Sequence, residues 1–364
     1  MSSANLYDYS IARTFGISVP RGEIGLEIEV EGKRLPGVMN HRGEIPHALD
    51  KTWTLHSDGS LRNINDGDQA IEYVLSKPLG RGDFVAALAQ FEDKWKACEA
   101  EAYNSYRTSV HVHLNIADWS WRTVWSFLPT YFILEEALVS FADGGTKARV
   151  GNKFCLRASD SDAIITTLSS IGRRDFNNPN LSARDLKYGA VNVAAIGNYG
   201  SLEFRSLRGT VDTELIQTWT NILLAIKDYA SKYDIPTEII TEFSEMTPMV
   251  WAERVLGRDY LNLLRVTQPN IEQTLVFGVR TAQEVAYSCE WKPYMKPEAK
   301  TKPKDTFRVD FNEYLTDNGA VPMDNEQDAP RPVEVAETAP GGRDNAPGRF
   351  RINTTSTTNY GVRI

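Results

Sequence analysis

The sequence predicts an α+β fold, in which a largely antiparallel sheet carries helices on one of its faces. Two kinds of pattern lead to this prediction. Residues 23–31, 108–116 and 200–207 alternate apolar and polar side chains, as half-buried strands do. Residues 83–103 and 211–231 repeat apolar side chains at helical spacing. Each strand is therefore expected to turn its apolar face toward the helices and to leave a polar face open.

The same two periodicities predict the remaining elements. We expect strands at 51–56, 70–76 and 187–195, a loop at 36–50, and helices at 120–142, 160–172 and across most of 235–289. Gly197 and Asn198 are turn-forming residues between two predicted strands, so they indicate a hairpin.

The chain is predicted to have four parts. They are an N-terminal segment at 1–20, a catalytic domain at 21–232, a helical appendage at 233–295 and a tail at 296–364. The tail is rich in proline and poor in aromatic residues, so it cannot bury enough surface to offset the entropy of ordering. We predict a mostly disordered tail, with residues 305–315 and the last residues as docking segments for a protein partner.

Composition limits the class of protein. The chain has 364 residues, is 41% hydrophobic and carries a net charge of −8, as expected of a globular protein that does not bind bulk nucleic acid. Its three cysteines are widely spaced and odd in number, which predicts no disulfide framework and fits a reducing cytoplasm. The N-terminus has no signal-peptide pattern and no stretch reaches about 18 apolar residues, so we expect no membrane association.

The first strand carries two glutamates on one face. Glu27 and Glu29 alternate with Leu26, Ile28 and Val30, so their side chains lie about 7 Å apart on the same side. Paired carboxylates suit a magnesium ion, which keeps positions for water and phosphate. A half-exposed strand with a solvated polar face would show the same pattern, and this alternative stays open.

Other predicted strands repeat this arrangement. His111 and His113 share one face, which suits contact with metal, phosphate or substrate, or simply two hydrogen-bonded histidines. Glu203 shares a face with Arg205, where a carboxylate can bind metal while the guanidinium holds a phosphate oxygen. The alternative is an ion pair of little energetic weight. Glu72 adds a carboxylate on a further strand.

Six motifs, in this order, resemble the amidoligase family: GLEIEVEG, HSDGSL, IEYVLSKPL, SVHVHLNI, KYGAVNV and GSLEFRSLRGT. The segment EEALVSFADGGTKARVGNKFC resembles a helix and an arginine-containing loop of the same family. The family is grouped with glutamine synthetase and glutamate–cysteine ligase, and its members are common in bacteria and phages. The resemblance covers about residues 22–230. It implies a glutamine synthetase-like sheet with an acidic concave face. It also implies activation of a carboxylate by ATP as an acyl phosphate, with Mg²⁺ or Mn²⁺ ions.

The resemblance also implies roles for individual residues. The implied metal ligands are strand residues, with His113 preferred to His111: Glu27, Glu29, Glu72, His113 and Glu203. Contacts with nucleotide or substrate are implied for a second set: Arg149, Lys187, Asn192 and His111. The implied catalytic residues lie around the transferred phosphoryl group: Arg205, Glu72, Asp58 and Ser60.

The leading interpretation is an ATP-dependent ligase that joins a small-molecule or peptide carboxylate to an amine. Another metal-dependent phosphoryl-transfer enzyme, such as a phosphohydrolase, needs the same acidic strands, and it differs in releasing ADP without an added amine. A non-catalytic assembly protein that keeps the fold is the third interpretation, and the tail favours it. The motif GxxxxGK[ST] does not occur, so a P-loop enzyme is excluded. Assembly as a homo-oligomer stays open.

Limited proteolysis tests the predicted tail. We expect a protease to cleave within 296–350 and to leave a folded core, because unpacked proline-rich segments are cut first. Mass spectrometry of the products identifies the cleavage sites. A tail that resists protease and exchanges its amides slowly would contradict the predicted boundary.

Overall fold

A computed structural model describes residues 6–40, 43–63, 65, 67–174, 176 and 179–291, and these residues form an α+β fold. Its seven strands are β1 (Ile24–Lys33), β2 (Trp53–His56), β3 (Gln69–Leu75), β4 (Glu101–Ala102), β5 (Ser109–Asn115), β6 (Val191–Asn192) and β7 (Ser201–Arg208). Its first six α-helices are α1 (Ile11–Phe15), α2 (Arg81–Ala97), α3 (Trp121–Asp143), α4 (Asp162–Arg174), α5 (Arg184–Tyr188) and α6 (Ala195–Tyr199). Five more follow: α7 (Thr213–Ala230), α8 (Pro236–Ser244), α9 (Pro248–Leu256), α10 (Arg258–Thr267) and α11 (Ile271–Ala286). The predicted tail lies outside the described residues.

All seven strands join one antiparallel sheet. The strand order is β2-β3-β1-β5-β7-β6, and the short β4 pairs with the end of β1. The register places Glu27 opposite His111 and Glu29 opposite Glu72. Because side chains alternate along a strand, this register collects the polar residues of neighbouring strands on the same face.

The opposite face of the sheet forms the core with the helices. Leu26, Val112 and Phe204 are fully or almost fully buried there. The ring of Phe204 packs against Phe127 and Tyr131 of α3, with ring centroids 5.8 and 5.5 Å apart. Aromatic pairs at such distances add about 0.5–1.5 kcal/mol each to what burial contributes. The apolar residues of the alternating pattern therefore form the face of the sheet that packs on α3.

The predicted helical region at 235–289 is confirmed as α8 to α11, and it shares the main hydrophobic core. Helix α11 packs along α3 at a close crossing. A Cβ atom on Gly278 would lie 2.6 Å from the carbonyl oxygens of Phe132 and Ile133, so only glycine fits at this contact. Helix α3 thus packs against β7 on one side and against α11 at Gly278.

Two predictions of local structure are wrong. The helix predicted at 83–103 ends at Ala97, because Glu99 adopts a left-handed φ of 48° and the chain then enters β4. The predicted hairpin strand at 187–195 is reduced to the two residues of β6, flanked by α5 and α6. Asn192 ends this strand by accepting the N–H of Ala194, and residues 195–199 turn into a helix instead of a tight turn.

The three cysteines are free, as the sequence predicted. In the part of the chain that the structure describes, none of the helices is long and apolar enough to cross a membrane.

Substitution of Gly278 by Ala should lower the free energy of unfolding by about 1–3 kcal/mol, because the added methyl group forces α3 and α11 apart. Urea unfolding followed by circular dichroism measures the change. Gly82 is the matched control: it also lies in a helix, but its added Cβ meets open space. Gly82→Ala should be neutral or stabilising by up to about 1 kcal/mol. Equal effects of the two substitutions would show that the contact at Gly278 is not tight.

Candidate active site

The polar face of the sheet carries a row of acidic and histidine side chains. Cross-strand pairs place Glu29 beside Glu72, Glu27 beside His111, and His113 beside Glu203. Glu29, His111 and Glu203 are buried, although this face is the one that the sequence pattern left polar. Buried carboxylates are costly unless they have counter-charges or donors, so the contacts of each one matter.

His111 takes part in a network of hydrogen-bonding side chains that joins β5 to β1. His111 Nδ1 lies 2.9 Å from Glu27 Oε2, and its Nε2 lies 2.7 Å from Ser109 Oγ. Ser109 donates its hydroxyl proton to Glu29 Oε2 at 2.6 Å. His111 and Ser109 on β5 thus link the carboxylates of Glu27 and Glu29 on β1 through hydrogen-bonding side chains.

The row of carboxylates shifts the pKa values of its members in opposite directions. Burial, together with the charges of Glu27, Glu29 and other acids, raises the pKa of Glu72 to about 8. Burial also acts to raise the pKa of Glu27, but hydrogen bonds from His111 and His113 outweigh it and hold that pKa well below its usual range. With a pKa of about 8, the carboxyl of Glu72 keeps its proton at neutral pH.

Glu203 and Arg205 form an ion pair on β7. Asn192 donates its side-chain N–H to the other oxygen of Glu203 at 2.5 Å. Burial acts to raise the pKa of Glu203, but the charges of Arg205 and His111 outweigh it, so the net shift is downward. The guanidinium of Arg205 is thus directed at the acidic row.

A β-bulge in β7 sets the direction of Arg205. Val112 pairs with Phe204 and Val110 with Leu207, so two residues of β7 lie opposite His111. The extra residue lets Arg205 stay on the face of Glu203 while Leu207 returns to the core. The sequence carries this signal as a change of apolar spacing, from two residues between Leu202 and Phe204 to three before Leu207.

Two groups of side chains have the spacing needed for a metal ion. Among the described residues, potential ligand atoms lie within 4.8 Å of one another in Glu27, His111 and Glu203, and again in Glu29, Glu72 and His111. Both groups contain His111, whereas His113, the histidine that the resemblance favoured as a metal ligand, is in neither. His113 Nδ1 lies instead 3.1 Å from Ser201 Oγ, and its Nε2 is 3.3 Å from Glu27 Oε1.

The turn of the DGS motif lies close to this row. The backbone N–H of Ser60 donates to Asp58 Oδ1 at 2.6 Å. Burial tends to raise the pKa of Asp58, but the hydrogen bonds from Ser60 and the charges of His111 and Arg205 lower it. The turn is held in place by Glu31, which accepts the backbone N–H of Arg62 at 2.7 Å.

Arg149 and Lys187 are not in the row. Arg149 is 2% exposed. Its guanidinium donates to the backbone carbonyl of Arg205 at 2.5 Å, so its described contact is with the backbone of β7. Lys187 is exposed and lies 5.9 Å from the ring centre of Tyr188. Neither position therefore touches the carboxylates, whereas Asn192 does.

A cleft of about 420 Å³ opens beside the acidic row. Glu27, Glu72 and His113 form part of its wall. Tyr199, which is 67% exposed, lines it as well, and its ring stands nearly perpendicular to that of His113 with centroids 6.2 Å apart. A cleft of this volume admits a small organic substrate next to the carboxylates.

A family model described as "Putative amidoligase enzyme" matches residues 9–227, which include the whole sheet and the acidic row. The chain belongs to the amidoligase family. No curated protein matches the sequence.

Two buried residues of this amidoligase site were not selected from the sequence. Ser109 bridges His111 and Glu29, and Glu31, 1% exposed, holds the turn at Arg62. Both continue the alternation of their strands by one more step, Ser109 before His111 and Glu31 after Glu29. Strand periodicity alone could have included them, because it predicts their face, but it does not predict their partners.

Replacement of Glu72 by Gln should stabilise the metal-free amidoligase at pH 9 and have less effect at pH 5. The pKa of this carboxyl is about 8 in the folded protein and 4.5 as its ordinary value. The folded state therefore keeps a proton that the unfolded state loses, and the stability of the wild type falls as pH rises through this window. Thermal melts in EDTA at pH 5, 7 and 9 measure the difference. The control is Glu101→Gln at an exposed carboxylate that pairs with Arg34. A Glu72→Gln effect that does not depend on pH would contradict the assigned pKa.

Proposed function

We propose that this member of the amidoligase family is an ATP-dependent carboxylate–amine ligase. The observation that carries the proposal is the row of carboxylates around His111, with Arg205 directed into it and a cleft at its side. The antiparallel sheet with one acidic face supports its likeness to glutamine synthetase. The carboxylate substrate is a small molecule or a peptide, and the free thiols support action in the cytoplasm.

The donor set fits Mg²⁺ or Mn²⁺. Carboxylate oxygens are the preferred ligands of these ions, and the row brings the carboxylates of Glu27, Glu29, Glu72 and Glu203 around His111. Glu27, Glu203 and His111 would hold one ion, and Glu29, Glu72 and His111 form the alternative group. When bound, a divalent ion neutralises and orients the phosphates of ATP.

The chemistry needs two displacements. An oxygen of the substrate carboxylate attacks the γ-phosphorus of ATP and ADP leaves, which gives an acyl phosphate. The amine nitrogen then attacks the acyl carbon, the amide bond forms, and inorganic phosphate leaves. Phosphorylation is required because a free carboxylate has no adequate leaving group, and phosphoryl transfer is catalysed mainly by positioning and charge neutralisation.

The residues of the chain divide this work between them. Arg205 can hold two oxygens of the transferred phosphoryl group through its planar guanidinium, while Glu203 and Asn192 keep it in place. Glu72 lines the cleft, and in its ionised form its carboxylate can accept the proton that the amine loses. The turn at Asp58 and Ser60 lies near the same face and bounds the site.

Arg205→Lys should keep the fold and most ATP binding but lower turnover about a hundredfold or more, because lysine cannot make the bidentate phosphate contact. Glu203→Gln should instead weaken metal-dependent ATP binding, because it removes a potential ligand. Release of ADP in the presence of candidate carboxylates and amines measures turnover, and calorimetry with Mg²⁺ and ATP measures binding. A structural ion pair alone predicts that both variants lose a similar, small amount of stability.

The outcome also separates the alternatives. ADP release that is independent of any amine would favour a phosphohydrolase. Full turnover of Arg205→Lys would contradict the assigned role of the guanidinium. The absence of any melting shift with Mg²⁺ or Mn²⁺ and every nucleotide would favour a non-catalytic protein.

A further inference from the structure

A second cavity lies between α3 and α11. Its volume is about 240 Å³, and both helices and the short 3₁₀ turn Ala158–Asp160 contribute to its wall. Among the described residues, none of those that line it also lines the cleft or belongs to the two groups with metal-ligand spacing. We call it the α3–α11 cavity, and it is separate from the acidic row.

Glu135 is the most buried carboxyl group of the α3–α11 cavity, with 5% of the residue exposed. Its Oε2 accepts the backbone N–H of Ala158 at 2.8 Å. In the part of the chain that the structure describes, the carboxyl group makes no other hydrogen bond. The second oxygen of Glu135 can therefore accept a hydrogen bond from a donor that enters the cavity.

Acidic side chains outnumber basic ones around Glu135. Burial raises the pKa of Glu135 to about 8, and the charges of Asp160 and Glu136 act in the same direction, against the N–H of Ala158 and the charge of Arg157. Arg157 itself pairs with Glu136 and with Asp160, so its guanidinium is shared between two other carboxylates. The described residues that α11 contributes to the wall are uncharged: Thr274, Phe277, Gly278 and Thr281.

The wall of the cavity has the chemistry that a primary ammonium ion requires. Thr274 donates its hydroxyl proton to the carbonyl of Ile271 at 2.7 Å, so toward a ligand its oxygen can only accept. The rings of Phe132 and Phe277 line the same cavity, where they can attract a cation and cover an alkyl chain. The carboxyl groups oppose an anion. Within the described ranges, Glu135 is in neither group with metal-ligand spacing, which disfavours a metal ion.

We propose that the α3–α11 cavity binds a small primary alkylamine as its ammonium ion, with Glu135 as the counter-charge. The ammonium group donates to the oxygen of Glu135 that Ala158 does not use and to the hydroxyl oxygen of Thr274, while the alkyl chain lies against Phe132 and Phe277. Glu135 gives its proton to solvent when the ion pair forms. This site goes beyond the ligase function and does not depend on it.

Calorimetric titration of the full chain with n-butylamine at pH 8 tests the site without ATP or turnover. Glu135→Gln should weaken binding about tenfold or more, because the amide can still accept the N–H of Ala158 but carries no charge for the ammonium group. The matched control is Glu72→Gln, which removes a carboxyl group with a pKa of about 8 from the cleft. It should bind n-butylamine within about twofold of the wild type, because the α3–α11 cavity is separate from the cleft. The neutral analogue 1-butanol should bind the wild type at least about tenfold more weakly than n-butylamine.

The pH dependence of the wild type gives a second test that needs no variant. Binding at pH 7 should release about one proton, because Glu135 holds a proton below its pKa of about 8 and must ionise to pair with the ligand. The affinity for n-butylamine should therefore rise about tenfold or more from pH 6 to pH 8. Tyr131 and Cys155 also lie near Glu135, but burial raises their pKa values and both stay neutral in this range. The pKa of Asp160 is lowered and that of Arg157 is raised by their mutual hydrogen bonds, so their ion pair persists.

Four results would overturn the proposal. They are no binding of n-butylamine to the wild type, equal affinity for 1-butanol, an affinity that does not change with pH, and weaker binding in Glu72→Gln with unchanged binding in Glu135→Gln. The last of these would place the amine in the cleft. Tighter binding of Nα-acetyl-lysine amide than of n-butylamine would overturn the assignment to a free alkylamine, since it would identify the lysine side chain of a peptide as the ligand.

Discussion

Electrostatic repulsion among the carboxylates of one sheet face is the constraint on which the rest of the structure depends. Glu27, Glu29, Glu72 and Glu203 lie on neighbouring strands, and all four side chains contact or approach His111. Removal of such charges from water costs several kcal/mol for each ion unless donors or counter-charges replace the water. The imidazole of His111, the guanidinium of Arg205 and the hydroxyl of Ser109 serve this purpose, and Glu72 lowers the remaining repulsion by holding a proton.

The antiparallel sheet and its helices hold this unfavourable arrangement together. The face opposite the acidic row packs on α3, which itself contacts α11 at Gly278. A rigid apolar layer allows the charges to be fixed within hydrogen-bonding distance, because strands that pack tightly on one face cannot slip in register to separate the charges on the other. The packing of the apolar face therefore holds the mutually repelling carboxylates of the polar face in fixed positions.

Hydrogen bonds between charged side chains and backbone groups attach the loops around the site to the strands. Glu31 binds the N–H of Arg62, Arg149 binds the carbonyl of Arg205, and Arg205 binds the carbonyl of Phe154. Each of these contacts joins a charged side chain to a backbone group and so fixes a loop relative to a strand that carries site residues.

The sequence by itself determined the class of fold and the polar face. A period of two in β1, β5 and β7 predicts which side chains share a side, since alternation is a property of the extended backbone and needs no partner strand. The order of motifs likewise predicted the family. Only the tertiary structure decided which charges meet, because the register that pairs Glu27 with His111 and the bulge at Arg205 depend on contacts between distant segments. The same reason explains why a hairpin was predicted at Gly197, where α6 forms. Periodicity describes one strand at a time, whereas an active site is a set of distances between strands.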